Sequence, residues 1–233
     1  PGETFFAMGS APRRGKIEFI EGQTYSLVIE YKWEGRFPAV QIGMQAPDQF
    51  DLMEEATSLA KEADAVILIA GTNSDWETEG NDRSSLDLPS NQDELIEKVC
   101  NLNKNTVVVL NTGSPCEMPW VNQANSILQC WFPGQEFGNS LSDILFGEVN
   151  PCGKLPTTFP KKLSDTPAYS TYPGKDLQMD YEEGLFIGYR WYDREEIDPL
   201  FAFGHGLSYT TFDYSNLRAV PPKGTSSVAA FEV

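Results

Sequence analysis

The chain of 233 residues carries 34 acidic and 17 basic side chains, a formal net charge of -17. Such a surface repels phosphate, which argues against binding to nucleic acid or to anionic membranes. With 40% apolar and 12% aromatic residues the chain can bury a core, so wholesale disorder is excluded. No apolar run is long enough for a membrane span, and no basic-then-apolar segment opens the sequence as a signal peptide would. Secretion and cytoplasmic residence both stay open, and a homo-oligomer is compatible with the sequence.

The first segment, residues 1–46, predicts β structure. Lys16–Ile20 and Tyr25–Tyr31 are apolar stretches joined by a glycine-containing turn, and the second alternates apolar and polar residues with a period near two. Two or three strands bury little surface by themselves. We therefore expect this segment to be the tail of a β domain.

The pattern changes at Asp48 to an alternation of helices and strands. Asp51 is placed to cap a helix with Glu54 three residues later, and Leu52, Ala56, Leu59, Ala60 and Ala63 share one face. Ala65–Ala70 is a continuous apolar run of the kind that is buried on both sides of a parallel sheet.

The alternation continues to about Phe146. The predicted elements are a helix near Gln92–Leu102, a strand at Thr106–Leu110, a short helix beginning at Trp120–Asn122, a strand at Ser126–Trp131 and a helix over roughly Gln135–Phe146. Helices that alternate with short apolar strands are typical of βαβ units. The predicted fold class is therefore α/β, with a mainly parallel sheet sandwiched by helices and β-strand remnants of neighbouring domains at both ends.

After Asn150 the chain is rich in Pro, Gly, Tyr and Phe and has no helical periodicity. Residues 160–180 are expected to form a long surface loop. From Thr210 onward, apolar Phe212, Tyr214 and Leu217 are interspersed with polar residues, which predicts the opening strand of a further β domain.

The most polar loop follows the first apolar strand, at the edge of a parallel sheet where α/β folds place their sites. It holds Asp75, Glu77, Glu79 and Asp82, with Arg83 as the only positive charge. A carboxylic acid that stays protonated in such a crowded loop could donate a proton to a substrate. On composition alone, a solvated acidic loop without chemistry is the favoured interpretation.

Other chemistries lack the side chains that they need. His205 is the only histidine and stands in a glycine-rich aromatic turn, so a packing role is expected rather than a catalytic relay or a metal site. No calcium-loop spacing, dinucleotide fingerprint or phosphate-binding loop occurs. Metals and cofactors are not expected. The cysteines are too widely spaced for a metal knuckle and are interpreted as small buried thiols: Cys100, Cys116, Cys130 and Cys152.

A series of short motifs resembles glycoside hydrolase family 3, and together they follow the order of that family. They are Glu79–Arg83 (EGNDR), Leu86–Pro89 (LDLP), Gln92–Leu95 (QDEL), Asn111–Trp120 (NTGSPCEMPW), Trp131–Asn139 (WFPGQEFGN), Asp143–Gly147 (DILFG), Asn150–Pro156 (NPCGKLP), Tyr181–Arg190 (YEEGLFIGYR) and Pro199–Tyr209 (PLFAFGHGLSY). The resemblance runs from about Leu52 to Phe212. Each motif is weak by itself, whereas the ordered set is specific. Cys116 and Cys152 depart from the family pattern.

The resemblance implies a retaining β-glucosidase that acts on terminal β-D-glucosyl residues of a β-glucoside or oligosaccharide. In that family the site lies between a barrel domain, which supplies an aspartate nucleophile, and the C-terminal α/β-sandwich domain, which supplies the acid/base. By motif the acid/base is Glu79, with Glu77 as the rival carboxylate. Asp75, in a Ser-Asp-Trp sequence, imitates the nucleophile motif but follows the wrong strand. One loop would then have to hold both carboxylates of the pair.

The same resemblance divides the chain into three parts. Residues 1–46 look like the tail of a protective-antigen-type, lectin-like β domain, and residues 47–212 look like the C-terminal α/β-sandwich domain. Residues 213–233 look like the start of a fibronectin type III-like domain. Two functions of different class follow: part of an enzyme whose barrel domain lies outside this chain, or a non-catalytic carbohydrate-binding or interaction module that has lost the barrel.

Overall fold

The computed structural model describes residues 14–32, 40, 42–44, 51–79, 82–220 and 230–232. The chain divides into two compact units. The first consists of Pro1–Gly113 with Met118–Gln129, and the second of Ser114–Glu117 with Cys130–Val233. None of the helices in the described ranges is long and apolar enough to cross a membrane.

A three-stranded parallel sheet is the centre of the first unit. Its strands are β1 (Val66–Gly71), β2 (Thr106–Asn111) and β3 (Ser126–Gln129), in the order β1-β2-β3. Val66 pairs with Thr106, and Val107 pairs with Ser126. The predicted α/β class and the three neighbouring parallel strands are confirmed.

Two helices pack against each other in this unit, and the second of them also packs against β2. Helix α1 (Leu52–Glu62) begins as predicted at Asp51, whose carboxylate accepts hydrogen bonds from the N–H groups of Met53 and Glu54 at 2.9 and 3.1 Å. Helix α2 (Gln92–Leu102) has the predicted bounds and packs against both α1 and β2. The interface between the helices is fixed by Asn103, whose amide nitrogen donates to the carbonyl groups of Ala60 and Ala63.

The prediction that the first strand is buried on both sides is wrong. β1 is buried on one face only, because Leu68 and Ala70 point into the core while Ile67 and Ile69 are 51% and 56% exposed. The predicted apolar face of α1 is also only partly covered, since Ala60 is buried whereas Leu52 and Leu59 are exposed. A continuous apolar run or a period-3.6 pattern identifies residues that can be buried, but only packing against a partner buries them.

The N-terminal strands predicted at Lys16–Ile20 and Tyr25–Tyr31 do not form. The turn between them is present, with the Gln23 N–H donating to the Ile20 carbonyl, but no strand is assigned in residues 14–32 and all of them are exposed. Two isolated strands without an apolar surface to pack on are at best marginally stable, which is the physical reason for the difference. The other residues of the predicted β tail lie largely outside the described ranges.

The second unit contains α3 (Phe137–Leu145), a 3₁₀ turn at Leu163–Asp165 and α4 (Tyr189–Glu195). It ends in two short antiparallel strands, β4 (Arg218–Val220) and β5 (Ala230–Glu232), so β structure is present at the C-terminal end as predicted. The strand begins later than the alternation from Thr210 suggested. Helix α4 was not predicted, and the short helix predicted at Trp120–Asn122 is a pair of turns.

The glycine- and aromatic-rich motifs of the second unit bind one another. The backbone of Leu155 pairs with His205 and Gly204, and that of Phe159 pairs with Phe201 and Leu200, at 2.8–3.2 Å. The His205 ring lies 5.1 Å from the Phe201 ring, which agrees with the predicted packing role. These motifs therefore have a structural role, because they hold together segments that are distant in the sequence.

Candidate active site

A loop leaves the carboxyl end of β1 and carries all the acidic residues singled out by the sequence. It opens with an Asn73 turn, in which the side-chain oxygen accepts from the Asp75 N–H at 2.9 Å. The Asn73 carbonyl also accepts from the N–H groups of Trp76 and Glu77, at 3.0 and 2.8 Å. These bonds turn the chain back, so that Glu77 returns toward the end of the strand it has just left.

The Glu77 carboxylate binds groups from three separate places. Its Oε1 accepts from the Thr72 hydroxyl at 2.6 Å and from the Gly113 N–H at 3.2 Å, and the Arg83 guanidinium lies 3.5 Å away. Thr72 directly follows β1, and Gly113 stands two residues after β2. Only 14% of the Glu77 side chain and 13% of the Arg83 side chain are exposed. Glu77 thus joins the ends of two parallel strands to the far side of the loop.

The other acidic residues of the loop face solvent. Asp75, Glu79 and Asp82 are exposed. The Glu79 carboxylate has no hydrogen bond or ion pair with any residue in the part of the chain that the structure describes. The structure thus separates the two rival carboxylates, with Glu77 held inside the loop and Glu79 presented at its surface.

The strand ends beneath the loop are tightly fixed. Gln92, the first residue of α2, binds both backbone groups of Gly71 through its side-chain amide, at 2.7 and 2.9 Å. A Cβ atom added to Gly71 would lie 2.0 Å from the Asn111 carbonyl oxygen, so only glycine fits there. The Thr72 N–H donates to the same carbonyl at 3.0 Å and extends the β1–β2 pairing by one residue.

The segment after the loop is also anchored. The second Arg83 nitrogen donates to the Asp87 carbonyl at 3.1 Å. The Leu88 N–H donates to Asp93, whose other carboxylate oxygen accepts from the Trp120 indole at 2.7 Å. Burial raises the pKa of Asp93, while these two hydrogen bonds act in the opposite direction. Leu88 and Trp120 are almost fully buried.

Neither a metal site nor a disulfide is found in the described ranges. No group of three potential metal ligands from His, Cys, Asp or Glu occurs there. None of the four cysteines, which all lie in described ranges, forms a disulfide. Cys100 and Cys116 are buried as predicted, and burial raises the pKa of Cys100 and of the half-buried Cys130. Cys152 is exposed, so the interpretation as a buried thiol is wrong for that residue.

The comparison with known protein families decides the assignment of the chain. The profile of the "Glycosyl hydrolase family 3 C-terminal domain" matches residues 20–209. The chain belongs to glycosyl hydrolase family 3. The family resemblance inferred from the ordered motifs is thereby confirmed.

Curated members of family 3 agree with this assignment. "Probable beta-glucosidase I" of Aspergillus clavatus is 40% identical over 240 residues, which cover 95% of this chain and 28% of the relative. "Beta-glucosidase" of Rhizobium radiobacter is 44% identical over 223 residues, 91% of this chain and 27% of the relative. The chain therefore spans little more than a quarter of the length of these relatives.

Solved structures of family 3 enzymes share the fold. The β-glucosidase of Kluyveromyces marxianus, solved in complex with glucose, superposes with a TM-score of 0.72 at 41% identity, over 76% of this chain and 22% of that one. DesR, a β-glucosidase from Streptomyces venezuelae in complex with D-glucose, gives a TM-score of 0.69 at 42% identity, with coverages of 73% and 22%.

Sequence reasoning identified the acidic loop but missed the residues that hold it. Thr72, Gln92, Asp93 and Gly113 were not recognised as parts of the site. Gln92 and Asp93 belong to one of the family motifs in the sequence. Their place as polar residues at the start of the helix after the loop was a signal that could have identified them. No local signal marks Gly113, because its role depends on the pairing of β1 with β2.

Proposed function

We propose that this chain is part of a retaining β-glucosidase in which Glu79 is the general acid/base. The observation that carries the proposal is the contrast within one loop: Glu79 is exposed and uncommitted to any described residue, whereas Glu77 is largely buried and occupied. The similarity to β-glucosidases at about 40% identity supports the substrate class, a terminal non-reducing β-D-glucosyl residue.

The proposed reaction has two steps and needs no cofactor. In the first, an aspartate of the barrel domain, outside this chain, attacks the anomeric carbon while Glu79 gives its proton to the departing glycosidic oxygen. The bond to the leaving group breaks as the bond to the aspartate forms. In the second, the ionised Glu79 takes a proton from water, which displaces the aspartate and releases glucose with its β configuration retained.

The loop position suits this role for a physical reason. Retention requires the two carboxylates to lie about 5–5.5 Å apart on opposite faces of the sugar. An exposed carboxylate at the carboxyl edge of a parallel sheet can approach a sugar held by another domain.

The division of the parent into a protective-antigen-type domain, the α/β-sandwich domain and a fibronectin type III-like domain, with limits at residues 46 and 212, remains part of this proposal.

The test uses the full-length parent protein and two aryl β-glucosides that differ only in their leaving groups. Glu79→Gln should lose about 10²–10⁴-fold in turnover with a phenyl leaving group, which needs protonation. With a dinitrophenyl leaving group the first step should be nearly normal, and hydrolysis of the glycosyl-enzyme should become limiting.

Azide distinguishes the acid/base from every other carboxylate. Because azide attacks without deprotonation, it should restore turnover of Glu79→Ala on the dinitrophenyl substrate and yield the β-glucosyl azide. Rescue of Glu77→Ala in place of Glu79→Ala would show that Glu77 is the acid/base. A parent protein that hydrolyses no β-glucoside would instead support the non-catalytic module.

A further inference from the structure

The acidic loop is closed by an ion pair across its base. Glu77 and Arg83 lie on either side of residues 78–82, and Glu79 is within the segment that they enclose. Both side chains are mostly buried, with 14% and 13% exposed, so solvent screens their interaction less than it would on an open surface. The pair therefore fixes Glu77 and Arg83, the residues before and after Glu79, relative to each other.

The two ends of this ion pair are attached to different parts of the first unit. Glu77 is bound to Thr72 and to the backbone of Gly113, at the ends of β1 and β2. Arg83 is bound to the Asp87 carbonyl, and the neighbouring Leu88 is buried and bound to Asp93 at the start of α2. Glu77 is thus attached to the sheet, and Arg83 is attached to the segment that leads into α2.

From these contacts we infer that Glu77 and Arg83 are positioning residues, which fix the chain before and after Glu79 so that its carboxylate meets the glycosidic oxygen. This inference rests on the proposed function. Glu77 is engaged at one carboxylate oxygen, which the Thr72 hydroxyl, the Gly113 N–H and the Arg83 guanidinium all contact. A glycosidic oxygen could approach that oxygen only after those contacts were broken.

The kinetic consequence of misplacing an acid differs from that of weakening the fold. A displacement of about 1 Å can reduce a rate by about 10²-fold. In the first step, such a loss falls on substrates whose leaving group must be protonated, and it spares substrates whose leaving group departs unaided. A variant that is merely less stable has fewer active molecules, and it loses the same fraction of turnover on both substrates.

The experiment measures kcat/KM, which reports the steps up to formation of the glycosyl-enzyme, for the full-length parent and its Glu77→Gln and Arg83→Gln variants on the phenyl and dinitrophenyl glucosides. Both variants should lose roughly 10- to 100-fold on the phenyl substrate and only a few-fold in the first step on the dinitrophenyl substrate. Because both substitutions break the same ion pair, the double variant should lose no more than about the larger single loss. Glu94→Gln is the matched control, since it removes an exposed carboxylate paired with Lys98 on α2.

A milder change guards against failure of these variants to fold. Thr72→Val removes one donor to Glu77 and keeps a side chain of similar shape, so it should show the same leaving-group dependence with a smaller loss. Equal losses on both substrates, or no loss in any of the three variants, would overturn the inference. Azide rescue of Glu77→Ala would also overturn it, by making Glu77 the acid/base.

The outcomes for the two proposals are distinguishable. If Glu79 variants show the acid/base behaviour and the Glu77 and Arg83 variants resemble the control, the positioning role fails and the proposed function stands. If Glu79 variants keep full activity on both substrates, the proposed acid/base assignment itself fails.

Discussion

The indole N–H of Trp120 donates a 2.7 Å hydrogen bond to the carboxylate of Asp93. This bond joins the turn before β3 to the first turn of α2, and the other Asp93 oxygen accepts from the Leu88 N–H. Because Trp120 is 1% exposed and Leu88 is 2% exposed, loss of the carboxylate would leave buried donors without an acceptor.

Replacement of Asp93 by alanine should therefore destabilise the first unit. We expect Asp93→Ala to lower the free energy of unfolding by about 1–3 kcal/mol, the cost of leaving buried donors unsatisfied. Urea unfolding followed by tryptophan fluorescence measures the change. The neighbouring Glu94→Ala is the matched control and should change stability by less than about 0.5 kcal/mol, because its ion pair with Lys98 is exposed. Equal effects of the two substitutions would contradict the prediction.

Asp93 should also make stability depend on pH. Burial raises the pKa of Asp93 above its ordinary value of 3.8, so the folded chain binds this proton more tightly than the unfolded chain. The contribution of the group to the free energy of unfolding should therefore be greatest at low pH and fall as pH rises from about 3.8 through the folded pKa. The difference in unfolding free energy between the unmodified chain and Asp93→Asn, measured over a pH series, isolates this group. A difference that grows with pH would have the wrong sign.

Gly71 should tolerate no side chain. A Cβ at this position would lie 2.0 Å from the Asn111 carbonyl oxygen, so Gly71→Ala should force β1 and β2 apart where the acidic loop begins. We expect a loss of about 1–3 kcal/mol or more in the free energy of unfolding, measured by circular dichroism during denaturation. Gly138→Ala is the control, because Gly138 lies in helix α3 with open space around it. Alanine there should stabilise the chain by about 0.5–1 kcal/mol.

The 233-residue chain by itself should not hydrolyse aryl β-glucosides above the solvent background. General acid catalysis contributes only about 10²–10⁴-fold of the 10⁶-fold or more that is typical of enzymes, and it does so in a site that also holds the nucleophile. A dinitrophenyl leaving group does not need the acid, so the chain without the nucleophile has no means of accelerating its departure. The assay compares the purified chain with the full-length parent on the dinitrophenyl substrate. Robust turnover with retention of configuration would contradict this prediction and would return Asp75 to consideration as the nucleophile.

The cysteines should differ in their reaction with a thiol reagent. Cys152 is exposed and should react first, whereas Cys100 and Cys116 are buried and should react only after unfolding. Burial also raises the pKa of Cys100, which reduces its thiolate fraction. The time course of labelling with a chromogenic disulfide, in native buffer and in urea, measures this difference. Cys152→Ser should remove the fast phase, and persistence of that phase would contradict the assignment.

Elements governed by local chemistry were predictable from the sequence. The Asp51 cap and the apolar runs of β1 and β2 are encoded in adjacent residues, and the structure reproduces them. Helix α4 escaped prediction because it has only seven residues and is bounded by unusual backbone conformations. Gly188 precedes it at φ 56°, and Glu196 follows it in the left-handed region. These backbone conformations depend on the surrounding chain rather than on the residue types within the helix.

The difference between Glu77 and Glu79 could not be derived from the sequence pattern. Both are glutamates in the same loop, two residues apart, and each could have been the exposed one. The burial of Glu77 depends on Gly113, 36 residues further along the chain, which approaches only because β1 and β2 pair. The strands at residues 14–32 failed for a related reason, since alternation encodes a face but not the surface that would cover it.

The pairing of Val66 with Thr106 also determines when the candidate site can form. The acidic loop and the whole of α2 lie between β1 and β2 in the sequence. Glu77 therefore cannot bind the Gly113 N–H until β2 has docked beside β1. During synthesis we therefore expect the contact between Glu77 and Gly113 to form only after the ribosome has released the chain beyond Gly113, and thus late in folding. Substitutions that slow the docking of β2 would then lower the yield of competent sites without altering the sites that do form.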